Sequence, residues 1–203
     1  KLQHEASRWL RFPAKKTMSL AQKLYEGIEI GKEGSVGLIT YMRTDSVRIA
    51  EEAIRDIRNY IGENYDTAYL PAKARIFKNA AAAQDAHEAI RPSSMAYKPQ
   101  DIKQYLSNDE FRLYQLIWNR FVASQMNPAV YDQTIIDIEA GKYLFRAQGS
   151  VMKFSGFTIV YTEGRENGDT EDEFGKTLPE VSVGESLTLL SLKPEQKFTQ
   201  PPP

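Results

Sequence analysis

SNDEFRLYQLIWNRFVASQMNPAVYDQTIIDIEAGKYLFRAQ, residues 107–148, switches from one structural grammar to another at Asn127-Pro128. Its first half opens on Ser107-Asn108-Asp109-Glu110, a capping-box pattern, and then places Phe111, Tyr114, Ile117, Phe121 and Val122 on one face of a long helix, with Trp118 close by. An aromatic stripe at helical spacing reads as core rather than as a cofactor site. Beyond Pro128 the period falls to two: Thr134, Ile136 and Ile138 alternate with polar neighbours, as do Tyr143, Phe145 and Ala147. Gly141, Gly149 and Gly156 punctuate these runs, so they read as short antiparallel strands. The fold class that follows is α+β, with a mainly helical part over residues 1–127 and a β-rich part over residues 128–203.

Working upstream, Phe12-Pro13 breaks two helix-compatible segments and gives a helix-turn-helix outline, with Met18, Ala21, Leu24 and Tyr25 sharing an apolar face. Residues 27–37 carry four glycines and read as a loop or hairpin. The β-branched run Leu38-Ile39-Thr40-Tyr41 predicts a strand ending at Tyr41. Asp45 or Ser46 is placed to cap the next helix, in which Ala50, Ala53, Ile54, Ile57 and Ile61 keep helical spacing until Gly62. A short helix closing at Arg91 fits residues 84–91, because Pro92 disfavours the helical region for its predecessor. Downstream, residues 163–176 read as an acidic loop and residues 186–192 as one more strand. The closing Pro201-Pro202-Pro203 looks like an excision point rather than a natural domain end.

Composition narrows the chemistry. The chain has 203 residues, 41% of them hydrophobic, enough for a proper core. Its apolar runs are too short for a membrane helix and its first residues too charged for a signal peptide, so the expectation is a soluble, cytoplasmic protein. Cysteine is absent, which removes thiolate zinc sites and thiol nucleophiles. The net charge of -1 does not advertise a nucleic-acid partner, but residues 127–203 hold 7 Lys and Arg against 12 Asp and Glu, leaving the preceding part modestly basic.

Two runs concentrate reactive groups: ITYMRTDS, residues 39–46, and HEAIRP, residues 87–92. A tyrosine phenol ordinarily titrates near about pH 10 and needs cationic or hydrogen-bonding help to act as a nucleophile. In an extended stretch Tyr41 and Arg43 face the same side, where a guanidinium could hold phosphate oxygens bidentately. His87 suits phosphate contact and proton movement, and Arg91, one helical turn away, could reach the same face. Thr40 and Thr44 could donate to a sugar-phosphate chain, and Asp45 could orient Arg43 or His87 unless it only caps a helix. Spacing alone does not bring the two runs together in space.

The same residues carry a resemblance. LITYMRTDS, residues 38–46, resembles the active-site motif of the type IA DNA topoisomerases, in the form seen in the bacterial topoisomerase I branch, and QDAHEAIRPSS, residues 84–94, resembles that family's second motif. LQHEASRWLRFPAKKTMSLAQKLYEG, LYQLIWNRFVASQMNPAVYD and the terminal FTQPPP extend the likeness over most of the chain, with Ser93 standing where the family often has Thr.

What the resemblance implies is transesterification: Tyr41 attacks single-stranded DNA, forms a 5'-phosphotyrosine, and lets another strand pass before resealing, relaxing negative supercoils without ATP. Arg43 and His87 match the motif arginine and histidine. The Mg2+ of the full-length enzyme would sit in a Toprim domain outside this chain, leaving no metal site here and the isolated piece inactive. Residues 1–127 would form the tyrosine-bearing domain, with a catabolite-activator-like, winged-helix-like helix-turn-helix. Residues 128–203 would form part of the β arch, whose partner is the rest of the topoisomerase chain. Two other readings remain open from the residues alone: a non-catalytic helix-turn-helix DNA-binding module, and an interaction protein using the acidic sheet.

Overall fold

The computed structural model describes residues 1–78, 87–162 and 177–196. It is a mixed structure of helices and two small antiparallel sheets. The chain opens with α1 (Leu2–Glu5), which widens into a π-helical turn over Ala6–Leu10, and then α2 (Ala14–Glu26). Pro13 precedes α2 in extended conformation, and Arg11 adopts φ 59, so the break expected at Phe12-Pro13 is present. A small hairpin follows, β1 (Ile28–Glu29) with β2 (Ser35–Val36), then α3 (Glu51–Asn64), α4 (Pro99–Ile102) and α5 (Asn108–Ser124).

The core lies among these helices. Leu24, Leu38, Ile57, Ile61, Leu113 and Tyr114 are fully enclosed. On α5 the stripe Phe111, Tyr114, Ile117, Trp118, Phe121 and Val122 is buried, and Tyr114 donates its hydroxyl proton to the Tyr97 carbonyl at 2.7 Å. The expected capping box forms at Ser107 and Glu110. Burial pushes the Glu110 carboxyl up, but its hydrogen bonds with Ser107 and the nearby Lys23 ammonium outweigh that and hold it below the usual range.

Several expectations are corrected. The helix begins at Glu51 rather than at Asp45 or Ser46, and runs through Gly62 to Asn64. Thr44 Oγ1 accepts from the Ser46 amide and Ser46 Oγ from the Arg48 amide, so these side chains fold the backbone into successive turns instead of starting a helix. On α2 the buried positions are Thr17, Leu20, Ala21 and Leu24, while Tyr25 is 41% exposed. Residues 38–41 are no regular strand: one bridge joins Ile39 to Pro92, and a proline, lacking an N–H, cannot extend the ladder. Residues 87–91 are not helical, because their backbone bonds to residues 40 and 48 instead. Residues 84–86 lie outside the described residues.

Past α5, β3 (Val130–Ala140) and β4 (Tyr143–Phe154) form one long antiparallel hairpin, in register from Tyr131 opposite Met152 to Ala140 opposite Tyr143. Its two-residue turn contains Gly141 at φ 62, whereas Gly149 lies inside β4 rather than at a break. Thr134, Ile136 and Ile138 do share a face, opposite Gly149, Ala147 and Phe145. The hairpin base is fastened to the helical part: the Tyr69 and Phe154 rings lie 4.8 Å apart, and the Phe157 amide donates to the Asn127 carbonyl. The turn over Gly156–Ile159 then returns to α5, where Arg120 donates to the Tyr161 hydroxyl. The strand expected over residues 186–192 does not form; Leu187, Leu189, Leu190 and Leu192 are exposed on backbone that pairs with no strand among the described residues. The expected acidic loop, residues 163–176, lies outside the described residues. Among the described residues no helix is long and apolar enough to cross a membrane.

Candidate active site

The two reactive runs are joined by their backbones. The Thr40 amide donates to the Arg91 carbonyl at 2.9 Å, the Ser93 amide to the Leu38 carbonyl at 2.9 Å, and the Ala89 amide to the Arg48 carbonyl at 2.8 Å. Thr40 Oγ1 completes the seam, donating to the Ala89 carbonyl at 2.7 Å and accepting from the Arg91 amide at 3.0 Å. A hydroxyl used twice in a partly buried place is a structural fastener, and it holds residues some fifty positions apart in one arrangement.

That seam brings Tyr41 and His87 together. Their ring centroids lie 5.6 Å apart with the planes tilted by 35°. Tyr41 is 38% exposed, so the phenol is open to a substrate rather than sealed in the core. Buried Met42 anchors the next position, and Arg43 stands exposed beyond it. Among the described residues no hydrogen bond or ion pair holds Arg43 or Asp45, which leaves the guanidinium available to an anion. Thr44 is partly buried, and its oxygen is engaged with the Ser46 amide.

Arg91 behaves differently from Arg43. Its guanidinium is largely buried, pairs with Glu88 at 2.8 Å and donates to the Pro92 carbonyl at 2.9 Å. The expected helical spacing between His87 and Arg91 does not exist, so no shared helix face aligns the two side chains. Among the described residues no three His, Asp or Glu side chains come close enough to hold a metal ion.

Tyr41 thus stands exposed beside His87, with Arg43 two positions on, and comparison with known proteins gives the family in which this arrangement is set. The family model for DNA topoisomerase matches residues 1–203. This chain belongs to that DNA topoisomerase family. It is 50% identical over 205 aligned residues to DNA topoisomerase 1 of Xylella fastidiosa, strains Temecula1 and 9a5c, and spans 25% of the length of those curated relatives. It also resembles the solved full-length topoisomerase I of Thermotoga maritima, with a TM-score of 0.68 and 38% identity over 86% of this chain and 28% of that one.

In this topoisomerase chain one neighbour of Tyr41 escaped the sequence reading. Tyr25 packs edge-on against Tyr41, centroids 5.4 Å apart and planes at 66°. Helical periodicity assigned Tyr25 to the packed face of α2, yet it occupies the last turn, where side chains border the following loop. Its place immediately before Glu26-Gly27 was the available signal. Glu88, inside the second motif, was likewise given no role, although it is the acid that pairs with Arg91.

Proposed function

We propose that this chain supplies the strand-cutting tyrosine of a type IA topoisomerase. Tyr41 Oη attacks a phosphodiester in single-stranded DNA; the new bond joins the phenolic oxygen to phosphorus as the 5'-phosphotyrosine, and the bond to the 3' oxygen breaks. The phenolic proton leaves, and the departing oxygen takes up a proton to become a 3'-hydroxyl. Return attack by that hydroxyl restores the strand after another has passed, relaxing negative supercoils without ATP. The observation that carries the reading is the Tyr41–His87 ring pair, with the Tyr41 ring exposed and the pair fastened by the seam between the two motifs.

Within this reading His87 contacts the scissile phosphate and moves protons, and Arg43 neutralises phosphate charge bidentately. Thr44 and Asp45 border the DNA path. Thr40 and Arg91 act through the seam, since their polar groups are engaged with the protein itself. Magnesium belongs to residues of the parent outside this chain, as do the Toprim domain and the remainder of the arch, so the isolated chain is inactive. Residues 1–127 play the part of the tyrosine-bearing domain with a winged-helix-like character, and the hairpin that of an arch segment.

In the full-length parent, with magnesium and an end-labelled single-stranded oligonucleotide, denaturant-trapped covalent adduct is expected for the natural protein and absent for Tyr41→Phe. His87→Ala is expected to slow cleavage by about a hundredfold, the order contributed by a positioned proton-transfer group. Adduct formation by Tyr41→Phe would remove Tyr41 from the mechanism.

A further inference from the structure

We propose that Tyr25 is a positioning residue for the Tyr41 nucleophile, acting through its ring rather than its hydroxyl. The inference rests on the reading of Tyr41 given above. Three structural facts carry it. Tyr25 and Tyr41 meet edge to face, at 5.4 Å and 66°, while His87 lies 5.6 Å from the same Tyr41 ring, so the nucleophile has an aromatic neighbour from each of two separate parts of the chain. Edge-to-face contact sets a positive ring edge against a negative ring face and so favours particular torsions of the phenol.

The backbone beneath this contact is locked. The Leu38 amide donates to the Leu24 carbonyl at 2.7 Å, which ties the last turn of α2 to the segment leading into Tyr41. At Gly37 an added Cβ would stand 2.6 Å from the Tyr25 carbonyl oxygen, so the two backbones run in direct contact and only glycine fits between them. Tyr25 is therefore carried on a support that moves with Tyr41, whatever path the intervening hairpin takes.

The third fact is exposure combined with an unused hydroxyl. Tyr25 is 41% exposed, unlike buried Leu24 beside it, so it contributes little to the core. Among the described residues its hydroxyl makes no hydrogen bond. What remains for it to do is to restrict the swing of an exposed phenol that must meet phosphorus in line; displacement of a reacting group by about 1 Å can cost on the order of a hundredfold in rate.

The test is single-turnover cleavage by the full-length parent, with enzyme saturating over an end-labelled single-stranded oligonucleotide, alongside direct measurement of oligonucleotide affinity. Tyr25→Leu is expected to cleave about tenfold more slowly with affinity unchanged, a partial loss of that positioning, and Tyr25→Phe is expected to restore most of the rate. Tyr25→Met, equally ringless, replaces the leucine variant if the latter does not fold. Cleavage at the natural rate by the ringless variants would overturn the proposal. So would weakened oligonucleotide binding with a normal saturating rate, which would make Tyr25 a base-stacking platform, or a phenylalanine variant as slow as the leucine one. Tyr41→Phe is run in parallel: adduct from that variant defeats the underlying reading, whereas no adduct there combined with full-speed Tyr25→Leu defeats only the role of Tyr25.

Discussion

Thr40 stands one residue before the candidate nucleophile, and its hydroxyl both donates to the Ala89 carbonyl and accepts from the Arg91 amide. Removing it strands two partly buried backbone groups, which costs about 1–3 kcal/mol. Thr40→Val, nearly the same shape, is therefore expected to melt measurably lower in calorimetry, and Thr40→Ser to melt close to the natural protein. At this scale the sequence was legible in identity but not in role. Tyr41, Arg43 and His87 stood out as reactive groups, and the structure places the first and third in ring contact. Thr40 and Arg91 looked equally available for DNA, but pairing across some fifty residues engages the Thr40 hydroxyl, and Glu88 and Pro92, close by in the chain, hold the Arg91 guanidinium. No local pattern encodes the distant partners of Thr40, just as no helical period could assign Tyr25 to Tyr41.

Helix α5 shows the opposite case, because everything that specifies it is local. The Ser107 side chain accepts from the Glu110 amide at 3.3 Å, and the Glu110 carboxylate accepts from the Ser107 amide at 2.9 Å. Ser107→Ala is expected to cost about 1 kcal/mol and to lower the melting temperature by roughly 2–4 °C. Glu110 adds a pH dependence. Its folded pKa lies below the ordinary carboxylate range, so its stabilising contribution is complete above that range and is lost as acidification passes through the depressed folded value. The natural protein should therefore lose melting temperature between about pH 6 and pH 3 more steeply than Glu110→Gln. The start of α3 was harder to read. Thr44 and Ser46 have the composition of helix caps, but their oxygens serve turns within residues 44–48, and the helix waits until Glu51.

Across the whole molecule, a well-packed helical body carries a hairpin that is open on its faces. Ile135, Tyr143, Leu144, Phe145, Val151 and Met152 are all exposed, and among the described residues β3 and β4 pair only with each other. Alternating sequence announces that a segment can join a sheet; it does not supply the neighbour, which is why residues 186–192 read as a strand and yet pair with no strand among the described residues. Open edges of this kind template pairing with other chains. Sedimentation velocity of the isolated chain should accordingly show concentration-dependent association, suppressed by Ile135→Lys together with Val151→Lys. Association unchanged in that double variant would place the contact elsewhere.

Uniting these scales is the claim that a surface phenol, fastened between two distant motifs, becomes the covalent attachment point for DNA. Peptide mapping by mass spectrometry of the adduct trapped on the full-length parent tests it most directly. The account predicts a nucleotide remnant on the peptide containing Tyr41 and on no other tyrosine. A remnant on Tyr25 or any other residue, with Tyr41 unmodified, would contradict it.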